Sequence, residues 1–225
     1  MQSSSQLRKV LVTGANKGIG YAIVEKLLDS PNAYNVILTS RDPKLGQEAI
    51  KKLQEQKPQI KSTLTYHQLD VNDEKSVQEL VAWLNKDGAK IDVLVNNAGV
   101  NYHYANLEQR TKTIQTNYLS LVNLTEKLLP YLTEDAKVIS ISSGLGRIAH
   151  QSNSLRKQLE VSKLTEEDLQ RIQSNLETYY QDFHSGHPIV EASYCASKAL
   201  LNAYTRWVLP EKLGPKQQCY SVAPG

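Results

Sequence analysis

The chain has 225 residues, an apolar share of 40% and a net charge of +3 from 26 basic against 23 acidic residues, which suits one α/β domain over 1–225, of the kind that reaches roughly 200 to 250 residues. The charges are scattered without a run of one sign, so they read as solvated surface and argue against a nucleic-acid or membrane partner. The opening stretch from Met1 to Lys9 has no apolar core, no later stretch is long enough to span a bilayer, and Cys195 and Cys219 lack metal-ligand spacing, so the expectation is a soluble cytoplasmic protein with free thiols and no metal.

The first structured element reads as a strand, because Val10, Leu11 and Val12 are consecutive apolar residues of the kind a strand buried on both faces requires. It runs into Gly14, Gly18 and Gly20, after which Ile19, Ala22, Ile23 and Leu27 recur at helical spacing. A turn before a helix can be glycine-rich for backbone reasons alone. Glycines there also let the backbone approach a pyrophosphate, with the free N–H groups and the dipole of the helix start favouring its charge.

Asn35 to Ser40 reads as the second strand, and Arg41 lies at its end, where a dinucleotide fold selects its ribose. An acid there would bind the bare 2′-hydroxyl of NAD, whereas a guanidinium pairs with the 2′-phosphate of NADP; Lys17 supplies a second cation. The neighbouring Asp42 precedes Pro43 and the apolar-periodic Leu45, Ala49, Ile50 and Leu53, which marks it as a helix N-cap with proline at the first helical position. The reading is NADP(H).

Leu64 to Val71 reads as the third strand, ending in Leu69-Asp70-Val71, where Asp70 is either a ligand residue or a plain strand end before a helix capped by Asn72 or Asp73. Val77, Leu80, Val81 and Leu84 give that helix its face, and Ile91 to Val95 is a fourth strand leading into Asn96-Asn97-Ala98-Gly99. Small residues there let a ribose lie close, while an asparagine amide can bond both backbone and ribose, its role partly structural in holding adjacent strands together. A long helical pattern from about Leu107 to Leu129 holds Asn117, and Lys137 to Ile141 is a fifth strand delivering Ser142-Ser143-Gly144. The alternation implies a doubly wound parallel sheet of Rossmann type, whose ligands bind at the carboxyl ends of the strands, where these residues fall.

Tyr194 and Lys198 stand four apart in a helical pattern that continues through Leu200, Leu201, Tyr204 and Val208 towards Gly214, followed by a sixth strand from Gln218 to Val222. Spacing of four is frequent by chance, but it puts both side chains on one helix face, where an ammonium would favour an ionised phenol. Between Ser143 and Tyr194 lies a helical insert, about 147–190. In it Thr165 and Asp168 form a capping box ahead of Leu169, Ile172, Leu176, Tyr179, Tyr180 and Phe183, and Gly186 is placed to end the helix.

Thr13-Gly14-Ala15-Asn16-Lys17-Gly18-Ile19-Gly20, Asn96-Asn97-Ala98-Gly99, Asn117-Tyr118-Leu119-Ser120 and Tyr194-Cys195-Ala196-Ser197-Lys198, in that order, resemble the short-chain dehydrogenase/reductase family. With the long insert, Thr39-Ser40-Arg41-Asp42 and His67-Gln68-Leu69-Asp70, the chain is similar to its NADPH-dependent carbonyl reductase branch from about Val10 to Gly225. The resemblance implies a catalytic set of Asn117, Ser143, Tyr194 and Lys198. It implies cofactor contacts at Gly14, Asn16, Lys17, Gly18, Ile19, Gly20, Arg41, Asp70, Val71, Asn97, Ala98, Gly99, Tyr194, Lys198, Pro224 and Gly225. Asn117 would keep a helix bulge and a relay water, and Asp70 would meet the adenine amino group. The family usually continues past Pro-Gly with a threonine and a substrate-covering segment, so a truncated carboxyl end is expected. The expected function is reduction of a small-molecule carbonyl substrate (ketone, aldehyde or quinone) by NADPH, in a monomer. The rival is a catalytically weak NADP(H)-binding protein that acts through partners.

Overall fold

The apolar run at the start forms β1 (Arg8–Val12), and the computed structural model describes residues 7–86, 88–102, 105–183 and 192–224. There follow α1 (Gly18–Leu28), β2 (Tyr34–Ser40), α2 (Pro43–Gln56), β3 (Thr63–Gln68), α3 (Glu74–Lys86) and β4 (Ile91–Asn96). With β5 (Leu132–Ile141) and β6 (Gln218–Val222) the strands make one parallel sheet in the order β3-β2-β1-β4-β5-β6, the doubly wound order the alternation implied. Leu11 of β1 pairs in register with Ile37 of β2 and Leu94 of β4, and all three are fully buried. Both faces of this strand are covered, so it reads as unbroken hydrophobic sequence rather than an alternation.

The chain divides into two compact units, Met1–Ala98 with Lys127–Val138, and Gly99–Glu126 with Ile139–Gly225. In the first, Asp42 caps α2 as expected, accepting from the Leu45 N–H at 3.1 Å with Pro43 in the first turn. Asp73 rather than Asn72 starts α3, accepting from the Lys75 N–H at 3.0 Å. The buried face of α1 is Gly20, Val24 and Leu28, one position on from the expected stripe; Ala22 is exposed and Ile19 is 47% exposed. β3 stops at Gln68, so Leu69, Asp70 and Val71 lie beyond the strand, Leu69 still reaching the Ser40 carbonyl through its N–H. β5 begins at Leu132, earlier than expected; its polar start includes Asp135, which pairs with Arg8 at the surface at 2.8 Å.

In the second unit the expected long helix is broken into α4 (Leu107–Ile114), a π turn (Gln115–Leu119) and α5 (Ser120–Leu128). Asn106 and Gln109 form a capping box at the start of α4. The insert carries α6 (Asn153–Leu159), capped by Ser152, and then α7 (Glu166–Ser174), whose Thr165–Asp168 capping box forms as expected. Asn175 leaves helical geometry at φ −110° and ψ 12°, so α8 (Leu176–Tyr179) is separate from α7 rather than its continuation. Gly186 lies outside the described residues, as do the last positions of the insert.

α9 (Ala192–Ala203) carries Tyr194 and Lys198, and it passes through a second π turn (Tyr204–Val208) into α10 (Leu209–Lys212). Pro210 sits in the first turn of α10; proline lacks an N–H and crowds the carbonyl four residues back, which a widened turn accommodates. β6 matches its expected span.

Candidate active site

In the first unit, the junction of β1, α1 and β4 is built around Thr13 and Asn97. The fully buried Thr13 hydroxyl accepts from the Asn97 and Ala98 N–H groups, both at 2.9 Å. The Asn97 amide in turn donates to the Thr13 carbonyl at 2.8 Å and the Gly14 carbonyl at 3.1 Å. Asn97 thus ties adjacent strand ends together, the structural part of its expected role. Gly14 has φ +62°, and a Cβ there would stand 2.9 Å from the Ala98 Cα; at Gly20 a Cβ would stand 2.4 Å from the Asn97 amide nitrogen.

These residues fit a bound dinucleotide phosphate. Gly18 has φ +58° with nothing within 4 Å of where a Cβ would be, which leaves room over the loop. α1 starts without a side-chain cap and with no acid in its first turn, so its free N–H groups face outwards and favour an anion. Lys17 and Arg41 are exposed, and neither is in an ion pair among the described residues. Asp70 is half-buried, one carboxylate oxygen accepting from the Asn72 N–H at 3.0 Å. Val71 is buried beside it, and Asn16, Ala98 and Gly99 lie at the strand-end loops.

In the second unit, Asn117 is fully buried in the π turn. Its side-chain oxygen accepts from the Val100 N–H at 2.7 Å, and its amide donates to the Val100 carbonyl at 2.8 Å and the Ser197 hydroxyl at 3.1 Å. Single π turns of this kind inside a helix are frequent at functional sites. Ser197 donates to the Tyr194 carbonyl at 2.7 Å. Lys198 is 4% exposed and donates through Nζ to the Ile141 carbonyl at 2.8 Å; burial lowers its pKa to about 8.

Tyr194 differs from the sequence expectation. Burial raises the phenol pKa, and a hydrogen bond with the Ser143 hydroxyl only partly opposes it. The lysine, expected to lower that pKa, stands 5.9 Å from the ring centroid and is engaged by the backbone. What the geometry brings together is a protonated phenol, a serine hydroxyl and a buried lysine one turn along α9. Ser143 also accepts from the Leu145 N–H at 3.2 Å, starting a short 3-10 turn (Gly144–Gly146). A Cβ at Gly146 would stand 2.8 Å from the Lys198 backbone carbon, so a glycine lets this turn lie against α9. Pro224 is exposed, and Gly225 lies outside the described residues.

Sequence reasoning passed over Thr13, Ser197 and Gly146. Thr13 carried a signal, a hydroxyl at the end of a buried strand next to the first loop glycine. Ser197 carried none, since a serine inside a helix is commonplace.

A doubly wound sheet with an uncapped glycine loop in one unit and a Ser-Tyr-Lys-Asn group in the other defines the dinucleotide-dependent class of α/β oxidoreductases. The profile of the family described as short chain dehydrogenase matches residues 8–155. The chain is 32% identical to carbonyl reductase (NADPH) 1 of Sus scrofa, over 99% of this chain and 79% of that protein. It is 35% identical to short-chain dehydrogenase/reductase 1 of Saponaria officinalis, over 98% of this chain and 82% of that one. Among solved structures, the menthone neomenthol reductase of Mentha piperita superposes with a TM-score of 0.84 at 29% identity, covering 98% of this chain and 90% of that one. This chain belongs to the short-chain dehydrogenase/reductase family. Among the described residues no helix is long and apolar enough to cross a membrane.

Proposed function

We propose that the chain reduces a ketone, aldehyde or quinone to the alcohol with NADPH. The observation that carries this reading is geometric: Tyr194 and Lys198 stand one turn apart on α9, with Asn117 of the π turn reaching Ser197 between them and Lys198 anchored on the Ile141 carbonyl. When bound, NADPH would supply the hydride for the carbonyl carbon. Tyr194 would give its proton to the carbonyl oxygen, and Ser143 would hold that oxygen and polarise the bond. Lys198 would hold the nicotinamide ribose, and Asn117 would keep the π turn and a relay water in place. The Gly14–Gly20 loop would cradle the pyrophosphate, with Lys17 and Arg41 on the 2′-phosphate and Asp70 at the adenine. Support comes from relatives such as the Sus scrofa carbonyl reductase, whose name carries NADPH, and from Lys17 and Arg41, exposed and in no ion pair among the described residues.

The chain is also proposed to be a monomer, because α7 of the insert packs against α9 and the π turn after it, covering a face that a second copy would otherwise use.

A panel of quinones, aromatic aldehydes and keto compounds with NADPH tests the reading. Turnover should fall about 10²- to 10⁴-fold in Tyr194→Phe, with NADPH binding retained. Wild-type protein that binds NADPH but turns over none of the panel would leave the rival, a binding protein.

A further inference from the structure

One side chain links the two ends of the proposed adenosine site, and the expected roles of the site residues leave it unused. β3 ends at Gln68, whose Nε2 donates to the Arg41 carbonyl at 3.1 Å. Its Oε1 accepts from the Ser76 hydroxyl at 3.0 Å, and that hydroxyl accepts from the Asp70 N–H, also at 3.0 Å. Ser76 lies in the first turn of α3 and is 2% exposed, so water does not readily replace its two bonds, whereas the bond from Gln68 to Arg41 lies at the surface. The direction of each bond follows from its partners. The Arg41 carbonyl can only accept, so the NH₂ end of Gln68 must face it. The Ser76 hydroxyl already accepts from Asp70, so its proton goes to the remaining oxygen.

We propose that Gln68, acting through Ser76, is a positioning residue that fixes the Arg41 and Asp70 backbones relative to each other, and so sets recognition of an adenosine carrying a 2′-phosphate. This rests on the proposed roles of Arg41 and Asp70. Arg41 itself is exposed, and its main chain at the β2 end is what Gln68 holds. A guanidinium recognises phosphate through directional, charge-assisted bonds, so a shift of the peptide it grows from costs 2′-phosphate affinity without touching the other phosphates. On the other side, Ser76 holds the Asp70 peptide, while the carboxylate is held locally by Asn72. A bond that merely stabilised the strand end would weaken every nucleotide alike.

Calorimetric titration of the full chain separates these outcomes, using 2′,5′-ADP, 5′-AMP and inosine 2′,5′-bisphosphate. The first two differ in the 2′-phosphate, the first and third in the adenine amino group. In Gln68→Met, which keeps the length of the side chain and loses both bonds, the preference for 2′,5′-ADP over each of the others should fall about tenfold. In Ser76→Ala only the preference for adenine over hypoxanthine should fall, because Gln68 still holds Arg41. Should Gln68→Met fail to fold, the shorter Gln68→Ala, which loses the same two bonds, takes its place with the same expected result. Arg41→Ala is the control: if it lowers the 2′-phosphate preference while both ratios in the Gln68 and Ser76 variants stay at wild-type values, the proposal is overturned and the site reading stands. If Arg41→Ala leaves the preference unchanged, both fall.

Discussion

Lys198 donates through Nζ to the Ile141 carbonyl at 2.8 Å, so the lysine of the proposed catalytic group is tied to the end of β5. Its pKa is lowered by burial from 10.5 to about 8. Between those values the unfolded chain holds a proton that the folded chain has released, so this group makes stability rise with pH over that window and detracts from it below pH 8. The penalty at pH 7 is on the order of 3 kcal/mol, at about 1.4 kcal/mol per pKa unit. Lys198→Met removes the titration and loses the bond to Ile141, but only the titration depends on pH. Denaturant unfolding should therefore show wild-type stability gaining on Lys198→Met between pH 8 and 10. A difference that stays constant across that range would sink the idea.

The two loop glycines near the start of α1 serve different needs, and alanine separates them. At Gly18 a Cβ meets nothing, but φ is +58°, so Gly18→Ala should fold with a loss of roughly 1–2 kcal/mol from the left-handed backbone. At Gly20 a Cβ falls 2.8 Å from the Gly14 carbonyl oxygen and 2.4 Å from the Asn97 amide. Backbone does not yield as a flexible side chain does, so Gly20→Ala should cost about 1–3 kcal/mol and also spread the loop. Its affinity for NADPH should fall further than that of Gly18→Ala. Equal affinities in the two variants would show that Gly20 does not set the loop's shape.

Asn117 uses its side-chain oxygen and both amide protons on Val100 and Ser197 in a fully buried position. Asn117→Ala would strand the Val100 N–H and carbonyl without partners, at a cost on the order of 2–4 kcal/mol. Chemical denaturation checks the size. An Asn117→Ala protein as stable as wild type would mean that the π turn holds itself.

The centre of the sheet was legible because its strands are buried on both faces and so announce themselves as unbroken apolar runs; Val10 to Val12 and Val36 to Leu38 are the clearest. The caps at Asp42 and Thr165 were legible because they depend on residues only three positions apart. What local pattern could not carry was anything set by distant partners. The early start of β5 at Thr133-Glu134-Asp135 is polar and carries no apolar run to mark it as strand. The π turn at Asn117 arises where the side chain reaches Val100 and Ser197, far apart in the sequence. The state of the Tyr194–Lys198 pair was misjudged for a similar reason: helix spacing puts them on one face, but burial and the Ile141 carbonyl decide what the ammonium does.

The insert yields the last prediction. Leu169, Ile172 and Leu176 are buried, and α7 packs on α9 and its π turn. Lys212 of α10 pins the arrangement, reaching Glu126 of α5 at 2.5 Å and Glu166 of α7 at 2.7 Å. These ion pairs are partly exposed, worth about 0–1 kcal/mol each, so the apolar face does most of the holding. Wild-type protein should scatter light as a 25.2 kDa particle at all concentrations. Ile172→Glu places a charge in a fully buried position, so it should lift α7 and bare the apolar surface of α9. Self-association that grows with concentration is the expected result, whereas Lys212→Ala should stay monomeric. Wild-type protein at twice the chain mass would mean that this face already joins two copies and that the insert does not close it.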